Sequence, residues 1–287
     1  MRVVVTGGTG FIGRRLVARL RGTGHDAVVP ARGVTPDVEG VDAVVHLAGE
    51  NVAQRWTAAA KDRIVRSRVD GTLRLVGAMA KATKRPAVLV AASAVGYYGA
   101  RGDEELDEDA PPGDDFLART CVAWEGAAAA AAAAGVRVVR LRIGIVLAEG
   151  GGALAKMVPA FRAFAGGPLG SGNQWMSWIH RDDLVELFLF AISNPAVSGA
   201  LNATAPRPVR NREFASALGR AMGRPSFVPA PAAAVKLLYG EMATMILDGQ
   251  RVLPKRALGL GFRFRFPELL AALDDALGGA GPPPTPA

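Results

Sequence analysis

The 287-residue chain predicts an α/β fold: a doubly wound parallel sheet with a smaller, mostly helical C-terminal lobe. Three observations carry this. Short apolar runs rich in β-branched residues alternate with helix-length amphipathic segments over the first 150 residues, which implies right-handed crossovers and a sheet covered on both faces. The first such run, Val3 to Val5, passes through glycines straight into a helix. After residue 210 the pattern is helical, so residues 1–210 are expected to form the sheet domain, with loop insertions from about 150, and residues 211–277 the lobe.

The elements follow in order. A strand from residue 2 leads through Gly7, Gly8, Gly10 and Gly13 to a helix whose apolar face is Phe11, Ile12, Leu16, Val17 and Leu20, and Gly22-Thr23-Gly24 stops it. Ala27–Val29 and Asp42–Leu47 read as the next two strands. Trp56 to Thr83 carries apolar residues at helical spacing and is expected to be one long helix, broken at most near its start. Ala87–Ala92 is a strand ending at Ser93, Phe116–Ala134 a helix that runs into eight alanines, and Val136–Ile143 a strand. Beyond Ala148 glycine- and proline-rich loops intervene; Trp175–Ile179 is then expected as a strand, Arg181–Ser193 as a helix, and Ala200–Thr204 as a strand returning to the main sheet. The segment Arg101–Asp115, with eight carboxylates, reads as a solvated loop whose last two aspartates favour the following helix dipole. Asp182 and Asp183 read as helix caps, and Gly278–Ala287, with four prolines, as a disordered tail.

Composition narrows the function. The formal charge is +8, but it comes from 28 Arg and 6 Lys scattered without a basic block, so neither nucleic acid nor membrane is expected as a partner. A single cysteine, Cys121, and three well-separated histidines build no metal cluster and no internal disulfide. The most apolar helix, Leu184–Ile192, carries Glu186 and is too short to span a bilayer, and Met1 leads directly into the first strand; a soluble, cytoplasmic protein with a small-molecule substrate is expected.

The glycines carry the chemistry. Gly8, Gly10 and Gly13 spell G-x-G-x-x-G between a strand and a helix, and Gly7 joins them on the same turn. A phosphate reaches backbone N–H groups and the positive end of a helix only where no Cβ blocks it, so this is a Rossmann-type dinucleotide site. The end of the second strand usually supplies an acid to the adenosine ribose; here Pro30, Ala31 and Arg32 stand there. The planar fork of Arg32 suits a 2′-phosphate, so NADP(H) is expected over NAD(H).

With T-G-G-T-G-F-I-G at Thr6–Gly13, H-L-A-G at His46–Gly49, S-A-V-G-Y-Y-G at Ser93–Gly99 and W-I-H-R-D-D at Trp178–Asp183, the chain resembles the extended short-chain dehydrogenase/reductases of the NAD-dependent epimerase/dehydratase superfamily. F-L-A-R-T-C-V-A-W-E at Phe116–Glu125, G-G-P-L-G-S-G at Gly166–Gly172 and G-Q-R-V-L-P-K at Gly249–Lys255 are similar to the atypical "epimerase family" branch with its own C-terminal domain. The resemblance implies a cofactor held by Gly7, Thr9, Gly10, Phe11, Ile12, Gly13, Leu47, Ala48, Gly49 and Ser93, with Ser93 also catalytic. Its catalytic Tyr and Lys fall on Leu117 and Cys121, and an asparagine of the preceding helix falls on Arg68; Tyr97, Tyr98 and Cys121 are the conceivable substitutes, with packing the plainer role for each. Gln174, Trp175, Trp178 and His180 would roof the substrate site, His180 as a structural residue. The expected function is an NADP(H)-dependent oxidoreductase or epimerase-like enzyme on a small molecule; a non-catalytic NADP(H)-binding sensor or scaffold is the alternative.

Overall fold

The computed structural model describes residues 1–278, so the tail expected at Gly278–Ala287 lies outside the described residues except for Gly278 itself. In chain order the elements are β1 (Arg2–Thr6), α1 (Phe11–Gly22), β2 (Asp26–Val28), β3 (Ala43–His46), α2 (Ala58–Lys81), β4 (Val88–Ala94), β5 (Glu105–Leu106), α3 (Phe116–Ala129), β6 (Arg137–Ile143), β7 (Ile145–Leu147) and α4 (Leu154–Arg162). There follow β8 (Trp175–Met176), β9 (Trp178–His180), α5 (Arg181–Ser193), β10 (Gly199–Ala203), β11 (Val209–Arg210), α6 (Asn211–Met222), α7 (Ala232–Tyr239), α8 (Thr244–Leu247), β12 (Arg251–Val252), α9 (Lys255–Gly259) and α10 (Leu269–Ala276).

Six strands form a parallel sheet in the order β10-β6-β4-β3-β1-β2. Strand alternation sorts its side chains. Val3, Val5, Val45 and Val90 point to one face, where they bury Leu16 and Leu20 of α1 and Leu184 and Phe188 of α5. Val4, Val44 and Leu89 point to the other, against Leu75 and Met79 of α2 and Ala128 of α3. The chain builds outward from β1 to β2, then reverses to β3 on the other side of β1. That reversal opens a crevice beyond the carboxyl ends of β1 and β3, the place where such sheets bind ligands.

Local chemistry sets the helix ends. Helix α2 is unbroken and starts after Thr57, whose hydroxyl accepts from the Ala60 amide at 3.2 Å, leaving Trp56 outside it. Asp115 caps α3 by accepting from Ala118 N at 2.8 Å. The alanine tract is helical to Ala129, tightens into a 3-10 turn over Ala130–Ala134, and ends at Gly135 with φ +77°.

Two readings of the sequence need correction. Trp175–Ile179 is two strands: β8 pairs with β11 and β9 with β7, because Ser177 between them turns its hydroxyl to Gln250 O (2.7 Å) and accepts from Val252 N (2.9 Å). The acidic segment Arg101–Asp115 is more than a solvated loop, since it contributes β5, paired in parallel with β12, and buries Leu106 and Glu108. The C-terminal lobe is mostly helical, and its core of Phe214, Leu218, Phe266 and Leu273 incorporates Leu154, Phe161 and Trp178 from before residue 210.

Candidate functional site

The glycine turn is built so tightly that side chains cannot enter it. A Cβ on Gly7, which has φ +74°, would stand 2.8 Å from Ala48 N, and one on Gly13 would stand 2.2 Å from Gly7 O. Gly10 N donates to Gly7 O at 2.9 Å and caps α1 with no side chain, and no acidic residue occupies the first turn. The amides of Phe11, Ile12 and Gly13 therefore face the crevice uncapped by any side chain, with the positive end of α1 behind them. Gly151 and Gly152 cross the Phe11 ring, where a Cβ on Gly151 would come within 2.3 Å of it, so the loop after β7 packs onto the same turn.

Beside the turn, a cleft of about 210 Å³ is lined by Thr6, Arg32, Ala48, Gly49, Gly71 and Arg74 among others. Arg32 stands at its mouth with 94% of its side chain exposed, 3.6 Å from Glu50 Oε2. Below the cleft, His46 bridges Thr6 Oγ1 (2.6 Å) and Thr72 Oγ1 (3.0 Å); burial holds its pKa down at about 4, so the ring is neutral and fastens β1 and β3 to α2. Of the predicted cofactor residues, Arg32, Ala48 and Gly49 line this cleft, and Gly7 packs directly against Leu47 and Ala48, which joins the glycine turn to its edge.

At the far end lies Ser93, the last-but-one residue of β4 and only 3% exposed. Its hydroxyl donates to Glu125 Oε1 at 2.8 Å. Glu125, on α3 and 4% exposed, also accepts from Arg142 Nε (2.8 Å) and Nη2 (3.1 Å), with Arg140 Nη1 at 3.5 Å. Arg142 Nη1 donates to Tyr98 Oη (2.9 Å) and Glu108 O (3.2 Å), its guanidinium stacks on Tyr97 at 3.5 Å, and Tyr98 donates to Asn202 Oδ1 at 2.7 Å. Glu108 then accepts from the Asn202 and Arg256 amides. Burial opposes the charge on Arg142, but Glu125 and Tyr98 outweigh it and keep the guanidinium pKa above its ordinary value. Tyr98 is pushed up to about 12, chiefly by burial.

Of the three conceivable substitutes for the missing tyrosine and lysine, Tyr98 and Cys121 are buried, and Tyr97 is part-exposed with its ring under a guanidinium. Leu117, in the first turn of α3, packs on the turn before Gly99, with its Cβ 3.3 Å from where a Gly96 Cβ would be, in an apolar cluster with Trp56, Ile64 and Met242. Burial, and then Glu125, raise the Cys121 thiol to about 12, so it stays protonated beside Ser93. Tyr97 and Tyr98 are bound into the Arg142 stack. Arg68 donates to Glu50 O at 2.9 Å and lies 5.1 Å over Trp124, and burial lowers its pKa.

The expected roof residues are joints between segments. Gln174 donates to Leu169 O and Ile246 O, Trp175 to Asp103 Oδ1 between the guanidinium groups of Arg210 and Arg251, and Trp178 to Arg207 O. His180 is structural, and it is the cap of α5 that Asp182 and Asp183 were expected to be: its Nδ1 accepts from Asp182 N at 3.2 Å, its Nε2 lies 3.2 Å from Asp275, and burial lowers its pKa. Asp182 instead pairs with Arg15 at 2.7 Å, and Asp183 accepts from the Arg265 and Phe266 amides. The residues that sequence reasoning missed are Glu125, Arg142, Asn202 and Glu108. Their one signal was Arg142 beside Arg140 in a central strand, β6, which also begins on Arg137, since a charge buried there demands a counter-charge.

A parallel sheet with a glycine cradle at its switch point defines a Rossmann-type protein of the short-chain dehydrogenase/reductase kind. Residues 3–203 match the model of the NAD dependent epimerase/dehydratase family and residues 230–276 a domain of unknown function, DUF1731. The chain belongs to that epimerase/dehydratase family. It is 47% identical to the epimerase family protein SDR39U1 homolog, chloroplastic, of Arabidopsis thaliana, covering 95% of this chain and 86% of that one, and 40% identical to human epimerase family protein SDR39U1, covering 96% and 99%. The crystal structure of the human protein (isoform2) with NADPH superposes with a TM-score of 0.91 at 38% identity, over 97% of this chain and 99% of that one. Among the described residues no helix is long and apolar enough to cross a membrane.

Proposed function

We propose that the chain binds NADP(H) and acts on a small molecule by hydride chemistry, as an oxidoreductase or epimerase-like enzyme. The observation that carries this is the close-packed Gly7–Gly13 turn, which leads into α1 with no side-chain cap and no acid in its first turn. Its amides would hold the pyrophosphate, Ala48 and Gly49 would border the adenosine, and Arg32 would leave Glu50 for the 2′-phosphate. NADPH bound to the human relative supports the same cofactor. When bound, the nicotinamide supplies or accepts a hydride. Because the Ser93 proton is committed to Glu125, Ser93 offers a ligand only its lone pairs and acts by positioning. The pairing of Arg15, Arg142 and Arg210 with carboxylates supports a small molecule rather than nucleic acid as the partner.

A second reading, a cofactor-binding sensor or scaffold without turnover, is favoured by Leu117, which carries no proton, and by Cys121, whose thiol burial holds protonated. Titrating NADPH fluorescence against the pure protein tests both, and absence of binding at roughly tens of micromolar refutes both. Arg32→Ala is expected to weaken NADPH far more than NADH; equal losses would remove the 2′-phosphate assignment. Oxidation of NADPH across a carbonyl library, lost in Ser93→Ala, supports the enzyme, and its absence across the library supports the binding protein.

A further inference from the structure

Two arginines and one carboxylate line the cleft beside the glycine turn. Arg32 comes from the loop after β2, Arg74 from α2, and Glu50 from the segment after β3. Glu50 Oε2 lies 3.6 Å from Arg32 Nη2, and its Oε1 accepts from Gln54 Nε2 at 3.3 Å. Arg32 and Glu50 together therefore bring no net charge to the cleft. Arg74 has no such counter-charge: among the described residues it makes neither an ion pair nor a hydrogen bond. Asp70 stands four residues back on the same helix without reaching it, whereas Asp62 pairs with Arg66 at that spacing, 2.9 Å apart.

The backbone aims Arg74 into the cleft. Helix side chains lean toward the N-terminus of their helix, onto the residues three and four positions back. Three back from Arg74 is Gly71, itself a lining residue of the cleft, and a Cβ there would meet a single neighbour within 4 Å, Arg74 Nη2 at 3.9 Å. The guanidinium thus lies over bare backbone at the cleft wall, while Leu75, the next residue, is buried against the sheet.

We infer that Arg74 is the second ligand of the cofactor's 2′-phosphate and, with Arg32, sets the preference for NADP(H) over NAD(H). The inference rests on the NADP(H) reading above. A phosphate monoester carries about 1.5 to 2 negative charges at pH 7 and three acceptor oxygens. Placed beside Arg32 and Glu50 alone, it meets one cation and one anion and gains no net attraction. Arg74 supplies the surplus charge, and two guanidinium forks can share the three oxygens. Glu50 competes with the phosphate for Arg32, but an exposed ion pair is worth little and yields to the more highly charged group. An unphosphorylated ribose offers Arg74 only a neutral hydroxyl. The other use of a planar cation at an adenosine is stacking on the adenine ring, which would serve NADH and NADPH alike.

The test is calorimetric binding to the whole protein of NADPH, NADH, 2′,5′-ADP and 5′-AMP, the last two differing by the one phosphate. Arg74→Met keeps the stem and removes the charge, and because the side chain is exposed the melting temperature should stay at the wild-type value. We expect this variant to weaken NADPH and 2′,5′-ADP roughly tenfold and to leave NADH and 5′-AMP within about twofold. Glu50→Gln, which removes the competitor for Arg32, is expected to tighten 2′,5′-ADP several-fold, and Arg32→Ala combined with Arg74→Met to abolish the preference for 2′,5′-ADP over 5′-AMP. Equal losses of NADPH and NADH in Arg74→Met, which would put the guanidinium on the adenine, overturn the inference, and so does wild-type affinity for all four ligands. A wild-type protein that binds neither NADPH nor 2′,5′-ADP overturns the cofactor reading itself, so the two failures are distinguishable.

Discussion

Replacing Glu125 by leucine keeps the bulk of the side chain and removes the charge at the centre of the buried network. Three hydrogen bonds of 3.1 Å or less go with it, two from Arg142 and one from Ser93, and the Arg142 guanidinium, 3% exposed, is left with only Tyr98 Oη and Glu108 O. Removing one partner of a buried ion pair costs ~3–5 kcal/mol, because the remaining charge stays desolvated. In a chain of this size that lowers the melting temperature by roughly 10 °C. The assay is thermal and urea unfolding of ligand-free protein, since bound cofactor would add its own stabilisation. The informative step is the second substitution. Arg142→Met in the Glu125→Leu background removes the stranded charge and should recover about 2 kcal/mol or more, as hydrophobic replacement of whole buried pairs does elsewhere. A single-variant loss under about 1 kcal/mol, or two losses that simply add, would refute the view that these residues act as a charge-compensated unit.

Gly13→Ala places a methyl 2.2 Å from Gly7 O and is expected to abolish NADPH binding, read by nucleotide fluorescence. By contrast Gly77→Ala, inside α2 where a Cβ meets nothing within 4 Å, should stabilise the protein by about 0.5–1 kcal/mol in urea melts. Asp183, whose pKa burial raises to about 6, binds its proton more tightly folded than unfolded. Its contribution to stability is therefore full below about pH 4 and lost as pH rises through about 6, so the melting-temperature difference between wild type and Asp183→Asn should shift against wild type across that window. A flat difference there would contradict it.

How far the sequence could be read depends on the range of the interactions involved. β1, its glycine turn and α1 were legible because alternation, helical spacing and the steric demand for glycine are all local to 20 residues. The cap at Asp115 was legible for the same reason. The partnership of Glu125 with Arg142, Tyr98 and Asn202 was not, because each is a polar residue whose partner lies 17 to 104 positions away and no periodicity announces it. Ser177 hid the break between β8 and β9 in a run that alternates well enough to pass for one strand, and the partners that hold it, Gln250 and Val252, come 73 and 75 residues later. Likewise Ser93 was legible as a strand end, but not as a group turned inward to a helix carboxylate.

The pairing of β5 with β12 has a bearing on how this protein comes into being. Asn202 reaches Leu253 O, Glu108 receives the Arg256 amide, and Phe262 and Phe264 complete the core under α5. A ribosome that has released only the first 203 residues has thus made every strand of the main sheet but not Leu253 and Arg256, which complete the bonding of its far edge. The matched segment 3–203 is a unit of descent more than a unit of folding. Its assembly waits for the last 30 or so described residues to emerge, and the protein is expected to gain its stability late and all at once.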